Sequence, residues 1–160
     1  MVQTGLDRLR ARDFAAIKGK SLGVLCNHAS IDSNIDHILD LLGPLHRAGF
    51  LRIQSVFGPQ HGLRGHTQDN MVEWEGDVDS RCGWPVHSLY GEHREPTDAM
   101  LDGIDIFVVD LFDVGARYYT FIWTMALVHE ILRTHAGACT RIGPAQPDRG
   151  RPLRRNNPSS

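Results

Sequence analysis

The amino-acid sequence predicts an α/β domain of the Rossmann-like, three-layer kind with a mostly parallel sheet. Residues 104–111 form a nearly continuous apolar, β-branched run, which is typical of a strand covered on both faces. Shorter apolar runs alternate along the chain with segments of helical spacing, as β-α-β units require. Polar residues follow these runs directly, at the position where open parallel sheets bind their ligands.

The first half of the chain is predicted to contain a helix, a strand, a second helix and a second strand, over residues 7–17, 21–27, 34–44 and 51–57. Gly19 stops the first, amphipathic helix. Asn34 is the predicted N-cap of the second helix, which carries Ile35 in its first turn and has Pro44 close to its end.

The second half is predicted to add a short strand, a short helix, the central strand and a longer helix, over residues 85–89, 97–101, 104–111 and 120–133. Thr97 is the predicted cap of the short helix, and Gly103 ends it. The aromatic residues of the longer helix are predicted to belong to the core rather than to a cofactor site.

The loop at residues 58–85 is long and rich in Gly, His, Asp and Glu, and long loops inside compact domains are usually functional. It lacks both GxxxxGK[ST] and GxGxxG, so it does not resemble a phosphate-binding loop. His61 and His66 with Asp69 could ligate a metal, but their spacing matches no specific pattern. The alternative is that these histidines are hydrogen-bond partners.

Asp110 and Asp113 lie at the carboxyl end of the central strand, where carboxylates are candidates for chemistry. The structural alternative is that Asp110 caps a turn and Asp113 caps the next element. Arg117 follows closely, either as a salt-bridge partner that keeps the aspartates ionised or as a clamp on an anionic substrate.

Composition excludes several classes of protein. A formal net charge of −2 gives no reason to expect nucleic acid or an anionic membrane as a partner. Three widely spaced cysteines without CxxC predict neither a zinc site nor a disulfide framework. No signal peptide or membrane-spanning segment is visible, so a cytoplasmic chain is expected, with export open if the true start lies upstream.

The chain is predicted to divide into an α/β part, residues 1–134, and a different kind of sequence, residues 135–160. From residue 141 onward there are five arginines, one acid and half of the eight prolines, without a periodic apolar pattern. Such a composition ordinarily belongs to a disordered basic tail.

Five short motifs in order resemble one bacterial family, the NamZ-like exo-β-N-acetylmuramidases, over residues 5–130. They are NH at 27–28, FGPQHGLRG from 57, PVHSLYG from 85, PT at 96–97 and DLFDVGARYYT from 110. The resemblance implies a glycoside hydrolase that removes N-acetylmuramic acid from the non-reducing ends of peptidoglycan fragments, without a cofactor. It also implies an N-terminal Rossmann-like domain followed by a smaller domain, of which only the first is represented.

The resemblance implies two sets of site residues: a catalytic set of Gln60, His61, Glu73, Asp110 and Asp113, and a substrate-binding set of Asn27, His28, Arg64, Arg117 and Tyr119. Glycoside hydrolysis commonly uses two carboxyl groups, and an arginine could hold the lactyl carboxylate of muramic acid. Many family members have glutamate where this chain has Gln60, and an amide cannot carry the catalytic proton. Our hypothesis is that Glu73 has taken the role.

A frame change is expected to explain the unusual tail. Residues 141–150, RIGPAQPDRG, can be encoded so that the bases read one position later give VLDRPNPIG, the motif that follows this helix in family members. The chain is therefore expected to be a truncated fragment, inactive by itself and poorly stable because apolar sheet edges are exposed.

Three other functions stay open at the level of sequence. Gln60 is compatible with a non-catalytic protein that binds muropeptides. A metal-dependent hydrolase could use His61, Asp110 and Asp113. A pseudogene product would have no role.

Overall fold

The computed structural model describes residues 3–63, 65, 77–79, 81–113, 115, 120–135 and 140–142. The helices are α1 (Gly5–Arg10), α2 (Ile38–Arg47), α3 (Asp98–Leu101) and α4 (Phe121–Thr134), with a 3-10 turn at Ala15–Ile17. The strands are β1 (Ser21–Cys26), β2 (Arg52–Gly58), β3 (Asp77–Val78), β4 (Pro85–Ser88), β5 (Ile106–Asp110) and β6 (Thr140–Ile142). None of the helices in these ranges combines the length and apolar character needed to cross a membrane.

The strands form one sheet in the order β3-β4-β2-β1-β5-β6. Every neighbouring pair is parallel except β3 with β4, which is antiparallel. The predicted fold class, an α/β domain with a mostly parallel sheet, is confirmed. Strand β6 lies within residues 135–160, the range predicted to be a tail, and it pairs with β5.

Two hydrophobic clusters cover the two faces of the sheet and make the domain three-layered. On one face, Leu22 and Val24 of β1 pack with Ile106 and Val108 of β5 beneath α1 and α2. On the other face, Leu25, Phe107 and Val109 pack beneath α3 and α4. Alternate residues of one strand therefore enter opposite cores, which explains why the central strand is apolar throughout.

The predicted lead-in helix at residues 7–17 is wrong in its extent. Helix α1 ends at Arg10, and the chain turns through Asp13 and Phe14, whose φ angles of 50° and 55° are left-handed. The turn lets Phe14 and Ile17 reach the core, and Ile17 is fully buried. The gain from burying these two side chains favours the break over a continuous helix.

The predicted start of the second helix is also wrong. Helix α2 begins at Ile38, and Asn34 lies in a preceding turn rather than at its N-cap. Ile35 has a φ of 68° and is 78% exposed, so it is not part of the core. The turn forms because Asp32 accepts the backbone N–H groups of Asn34 and Asp36, which competes with helix formation.

Pro44 lies inside α2, in the last turn before the helix ends at Arg47, so it is close to the helix end as predicted. The N–H of Ala48 donates to the Pro44 carbonyl at 3.0 Å, so helical hydrogen bonding continues beyond the proline. The cap of α3 agrees with prediction, since the Thr97 hydroxyl accepts the N–H of Met100 at 3.4 Å.

Candidate functional site at the carboxyl edge of the sheet

The chain order of the sheet reverses between β1 and β5. From β1 the chain builds outward through β2 to β4, and it then returns to place β5 on the other side of β1. Cys26, the last residue of β1, is the register partner of Asp110, the last residue of β5. In open α/β sheets the ligand crevice lies outside the carboxyl ends of the strands at such a reversal. Asn27 and Asp110 are therefore brought to the expected binding position.

Asn27 is held in place by three neighbours in the loop that follows β1. Its backbone N–H donates to the Ser30 hydroxyl at 2.9 Å, and its side-chain Oδ1 accepts the N–H of Ala29 at 3.0 Å. Its carbonyl lies 2.9 Å from His37 Nε2. The Ser30 hydroxyl also contacts the carbonyl of Asp110, which links the two strand ends.

His37 connects this loop to α2. Its Nδ1 accepts the N–H of Leu39 at 3.3 Å, which makes it the N-cap of the helix. Because Nδ1 accepts a hydrogen bond here, Nε2 is the nitrogen that carries the proton and donates to the Asn27 carbonyl. Ser30 and His37 were not among the predicted site residues. Ser30 is indicated in the sequence only by its position three residues after Asn27, whereas His37 lies inside the helix predicted from residue 34 and no sequence signal indicates its role.

Two polar atoms at this edge have unmet hydrogen-bonding capacity. Within the described part of the chain, Asn27 Nδ2 and Asp110 Oδ2 are both buried and have no hydrogen-bond partner. Asn27 is fully buried, whereas the side chain of Asp110 is partly exposed. A buried polar group without a partner costs about 1–3 kcal/mol. Two such groups at the ends of neighbouring strands are a reason to expect a ligand.

The carboxyl group of Asp110 is electrostatically unusual. Burial raises its pKa from the ordinary 3.8 to about 6 because desolvation disfavours the charged form. A carboxyl group with such a pKa can exchange a proton near neutral pH, as acid–base catalysis requires. The structural alternative, in which Asp110 caps a turn, finds no support in the hydrogen bonds described for its side chain.

Gln60 lies in the loop that follows β2, at the same edge of the sheet. Its side chain is buried, and its Oε1 accepts the hydroxyl proton of Thr120 at 2.9 Å. Thr120 directly precedes α4, so this bond ties the loop to the beginning of that helix. Thr120 was not predicted as a site residue. The next residue, His61, is partly exposed and has a φ of 69°.

The remaining predicted residues divide into two groups. Asp113 Oδ1 accepts the N–H of Gly115 at 2.8 Å, so this carboxylate stabilises a turn. His28 is exposed beside Asn27. The last four predicted residues lie outside the described residues: Arg64, Glu73, Arg117 and Tyr119.

Metal ligation was one of the open alternatives. Among the residues that the structure describes, no group of three or more His, Cys, Asp or Glu side chains is arranged to hold a metal ion. Of the predicted loop ligands, His66 and Asp69 lie outside the described residues.

The fold and the strand-end geometry define a class: a three-layer α/β domain whose polar crevice lies where the strand order reverses. The family described as "Exo-beta-N-acetylmuramidase NamZ, N-terminal" matches residues 22–139, and the chain belongs to this family. The expected family resemblance is thereby confirmed.

Known relatives are similar to this chain over most of its length. The peptidoglycan beta-N-acetylmuramidase NamZ of Bacillus subtilis (strain 168) is 38% identical over 129 residues, which are 81% of this chain and 30% of that protein. A crystal structure of a DUF1343 family protein from Bacteroides fragilis NCTC 9343 superposes with a TM-score of 0.71 at 32% identity, covering 89% of this chain and 34% of that one.

A second DUF1343 protein structure from the same organism gives a TM-score of 0.64 at 28% identity, covering 88% of this chain and 34% of that one. The present chain thus spans about a third of the length of each relative.

Proposed function

We propose that this domain belongs to a peptidoglycan glycosidase that releases N-acetylmuramic acid from the non-reducing ends of muropeptides. Family membership supports a peptidoglycan glycosidase. Asp110 is the reason for assigning the proposed activity to this edge of the sheet. It is a carboxyl group at the strand-order reversal, with a buried oxygen that has no partner among the described residues.

The two catalytic carboxyl groups of this proposal are Glu73 and Asp110. Glycoside hydrolysis needs a proton donor for the leaving oxygen and a second group that assists attack at the anomeric carbon. Glu73 is the proposed donor, because Gln60 cannot give up a proton, and Asp110 is the second group. Arg64 and Arg117 are proposed to hold the lactyl carboxylate of the sugar.

We also propose that residues 141–150 are translated out of frame. They can be recoded into a family motif by a one-base shift. The first test is to sequence the DNA across the codons for residues 130–150.

If one base restores the family motif and a longer frame, the protein expressed from that frame should release N-acetylmuramic acid from a chromogenic glycoside. An Asp110→Asn variant should then lose at least about 100-fold in rate, as expected when a catalytic carboxyl group is removed. Absence of release by the longer protein would contradict the proposed function. If the present frame is confirmed, the 160-residue chain should bind muropeptides without releasing the sugar.

A sugar-binding protein without catalysis is the second candidate, and Gln60 favours it. The amide is buried and bonded to Thr120, so a non-titrating group occupies the position where many family members have a glutamate. Gln60→Glu distinguishes the two candidates. If the longer protein binds muropeptides but hydrolyses them only as the glutamate variant, the binding function is correct and Glu73 is not the proton donor.

A further inference from the structure

The two unpartnered atoms at the carboxyl edge have opposite hydrogen-bonding character. Asn27 Nδ2 is a donor, and Asp110 Oδ2 in its ionised form is an acceptor. They belong to residues at the ends of neighbouring parallel strands, yet they do not bond to each other. A ligand that satisfies both must therefore present an acceptor to Asn27 and a donor to Asp110.

The orientation of the Asn27 amide is fixed by its surroundings. Oδ1 accepts the N–H of Ala29, and this bond would be lost if the amide turned by 180°. The backbone on both sides of the side chain is bonded to Ser30 and His37. The Nδ2 donor therefore cannot rotate away to find another partner. Asp110 is partly exposed, so solvent reaches this edge of the sheet on its side.

The groups carried by an amino sugar differ in how well they match this pair. A lactyl carboxylate has no donor and would be repelled by the Asp110 carboxylate. A free ammonium group has no acceptor for Asn27. A secondary amide has an N–H donor and a carbonyl acceptor on two separate atoms, so it can meet both groups at once, whereas a hydroxyl must serve both from one oxygen.

We propose that Asn27 and Asp110 bind the 2-acetamido group of the sugar. Asn27 Nδ2 donates to the acetyl carbonyl, and Asp110 Oδ2 accepts the amide N–H. The two residues then determine specificity for N-acetylated sugars, and the lactyl group is bound elsewhere. This inference rests on the proposed function, because it names the part of the substrate that the two residues recognise.

The test compares two ligands that differ only at carbon 2. The 160-residue chain is titrated by calorimetry with the methyl β-glycoside of N-acetylmuramic acid and with its 2-deoxy analogue, which carries hydrogen in place of the acetamido group. The unmodified chain should prefer the acetamido sugar by at least about tenfold, since two hydrogen bonds are lost with the analogue. Asp110→Leu, which removes both acceptor oxygens, and Asn27→Asp should each reduce that preference to about twofold or less.

Asn27→Asp retains the oxygen that accepts from Ala29, so the loop can keep its turn. Asp98→Asn is the matched control, because this carboxylate is 90% exposed and lies on α3, outside the crevice. The control should keep the full preference. Circular dichroism establishes that each variant is folded, and Asp110→Leu alone is sufficient for the test if Asn27→Asp does not fold.

The outcomes separate the two proposals. Equal affinity of the unmodified chain for both glycosides, or a preference that survives Asp110→Leu, overturns the acetamido assignment and leaves the glycosidase proposal in place. A chain that binds neither glycoside contradicts the proposed sugar site and, with it, the acetamido assignment.

Discussion

Asp32 lies in the loop that follows β1 and Asp110 at the end of the neighbouring strand β5, and they show two opposite ways of burying a carboxyl group. Asp32 Oδ1 accepts the N–H groups of Asn34 and Asp36 at 2.8 and 3.0 Å, and Oδ2 is paired with the Arg10 guanidinium. Asp110 Oδ2 is buried with no partner in the described part of the chain. Both oxygens of Asp32 are therefore saturated with hydrogen bonds, whereas Asp110 has hydrogen-bonding capacity that the described residues do not use.

The pKa values of the two groups move in opposite directions. Burial acts to raise the pKa of Asp32, but the N–H groups of Asp36 and Asn34 and the Arg10 guanidinium lower it below its ordinary value. Burial acts without such compensation on Asp110 and raises its pKa to about 6. A carboxylate that the protein itself saturates maintains the fold, whereas an unsaturated one at a sheet reversal is available to a ligand.

The largest effect is expected from removing the saturated carboxylate. Asp32→Ala leaves two backbone N–H groups and the guanidinium without their acceptor, and it should lower the free energy of unfolding by about 2–3 kcal/mol. Urea denaturation at pH 7 measures the loss. The matched control is Asp36→Asn, because its half-exposed side chain can still accept from Arg10. If both variants lose the same stability, Asp32 does not have the structural role assigned to it.

Removing the unsaturated carboxylate, Asp110, should instead raise the free energy of unfolding. The folded-state pKa of Asp110 is raised to about 6, so ionisation of this carboxyl group lowers the free energy of unfolding. This loss of stability is absent below pH 4 and complete above pH 6. Asp110→Asn should therefore raise the free energy of unfolding by about 2 kcal/mol at pH 8 and change it little at pH 4.

Urea denaturation of the unmodified chain and the Asp110→Asn variant, carried out from pH 4 to pH 8, measures this difference. A difference that does not vary with pH would show that Asp110 does not titrate in this window.

A smaller effect is expected at the bond between Gln60 and Thr120. Thr120→Val keeps the shape of the side chain but removes its hydroxyl, and it should cost about 1 kcal/mol. A double-mutant cycle with Gln60→Leu measures the coupling between the two side chains. Additive losses in the cycle would mean that the bond does not hold the β2 loop to α4.

The smallest effect is expected on the exposed surface. Asp98 Oδ1 lies 3.0 Å from His135 Nδ1, but the aspartate side chain is 90% exposed. Asp98→Asn should leave the thermal midpoint within about 1 °C, because exposed ion pairs contribute little to stability. A larger shift, measured by circular dichroism, would mean that solvent exposure does not separate structural from dispensable carboxylates in this protein.

Local patterns along the chain predicted most of the elements that position the site. The bounds of β1, β2 and β4 differ from the predicted strands by no more than one residue at either end, and the shorter β5 lies within the predicted range. These strands are recognisable because their apolar runs are continuous and bounded by turn residues. The motifs that carry the family resemblance also lie at the strand ends. The sequence alone therefore places Asn27, Gln60 and Asp110 beyond the carboxyl ends of strands or at them.

Sequence patterns failed where side chains compete for the backbone. Asn34 is a residue type that favours N-caps, but Asp32 binds its N–H group and the helix begins only after His37. Phe14 continues a helical spacing, but burying its side chain requires a left-handed turn. Such outcomes depend on contacts with distant residues, such as Arg10 for Asp32, which no local pattern contains.

The sequence by itself determined the fold class, the edge of the sheet where chemistry is expected and the family. Local periodicity and motif order carry that information, because each depends on neighbours in the chain. Only the tertiary structure decided which carboxylate is saturated and which has unused capacity, since Asp110 and Asp113 are alike in sequence but not in bonding. Burial and hydrogen-bond partners are set by elements that are far apart in the chain and meet only when the sheet forms.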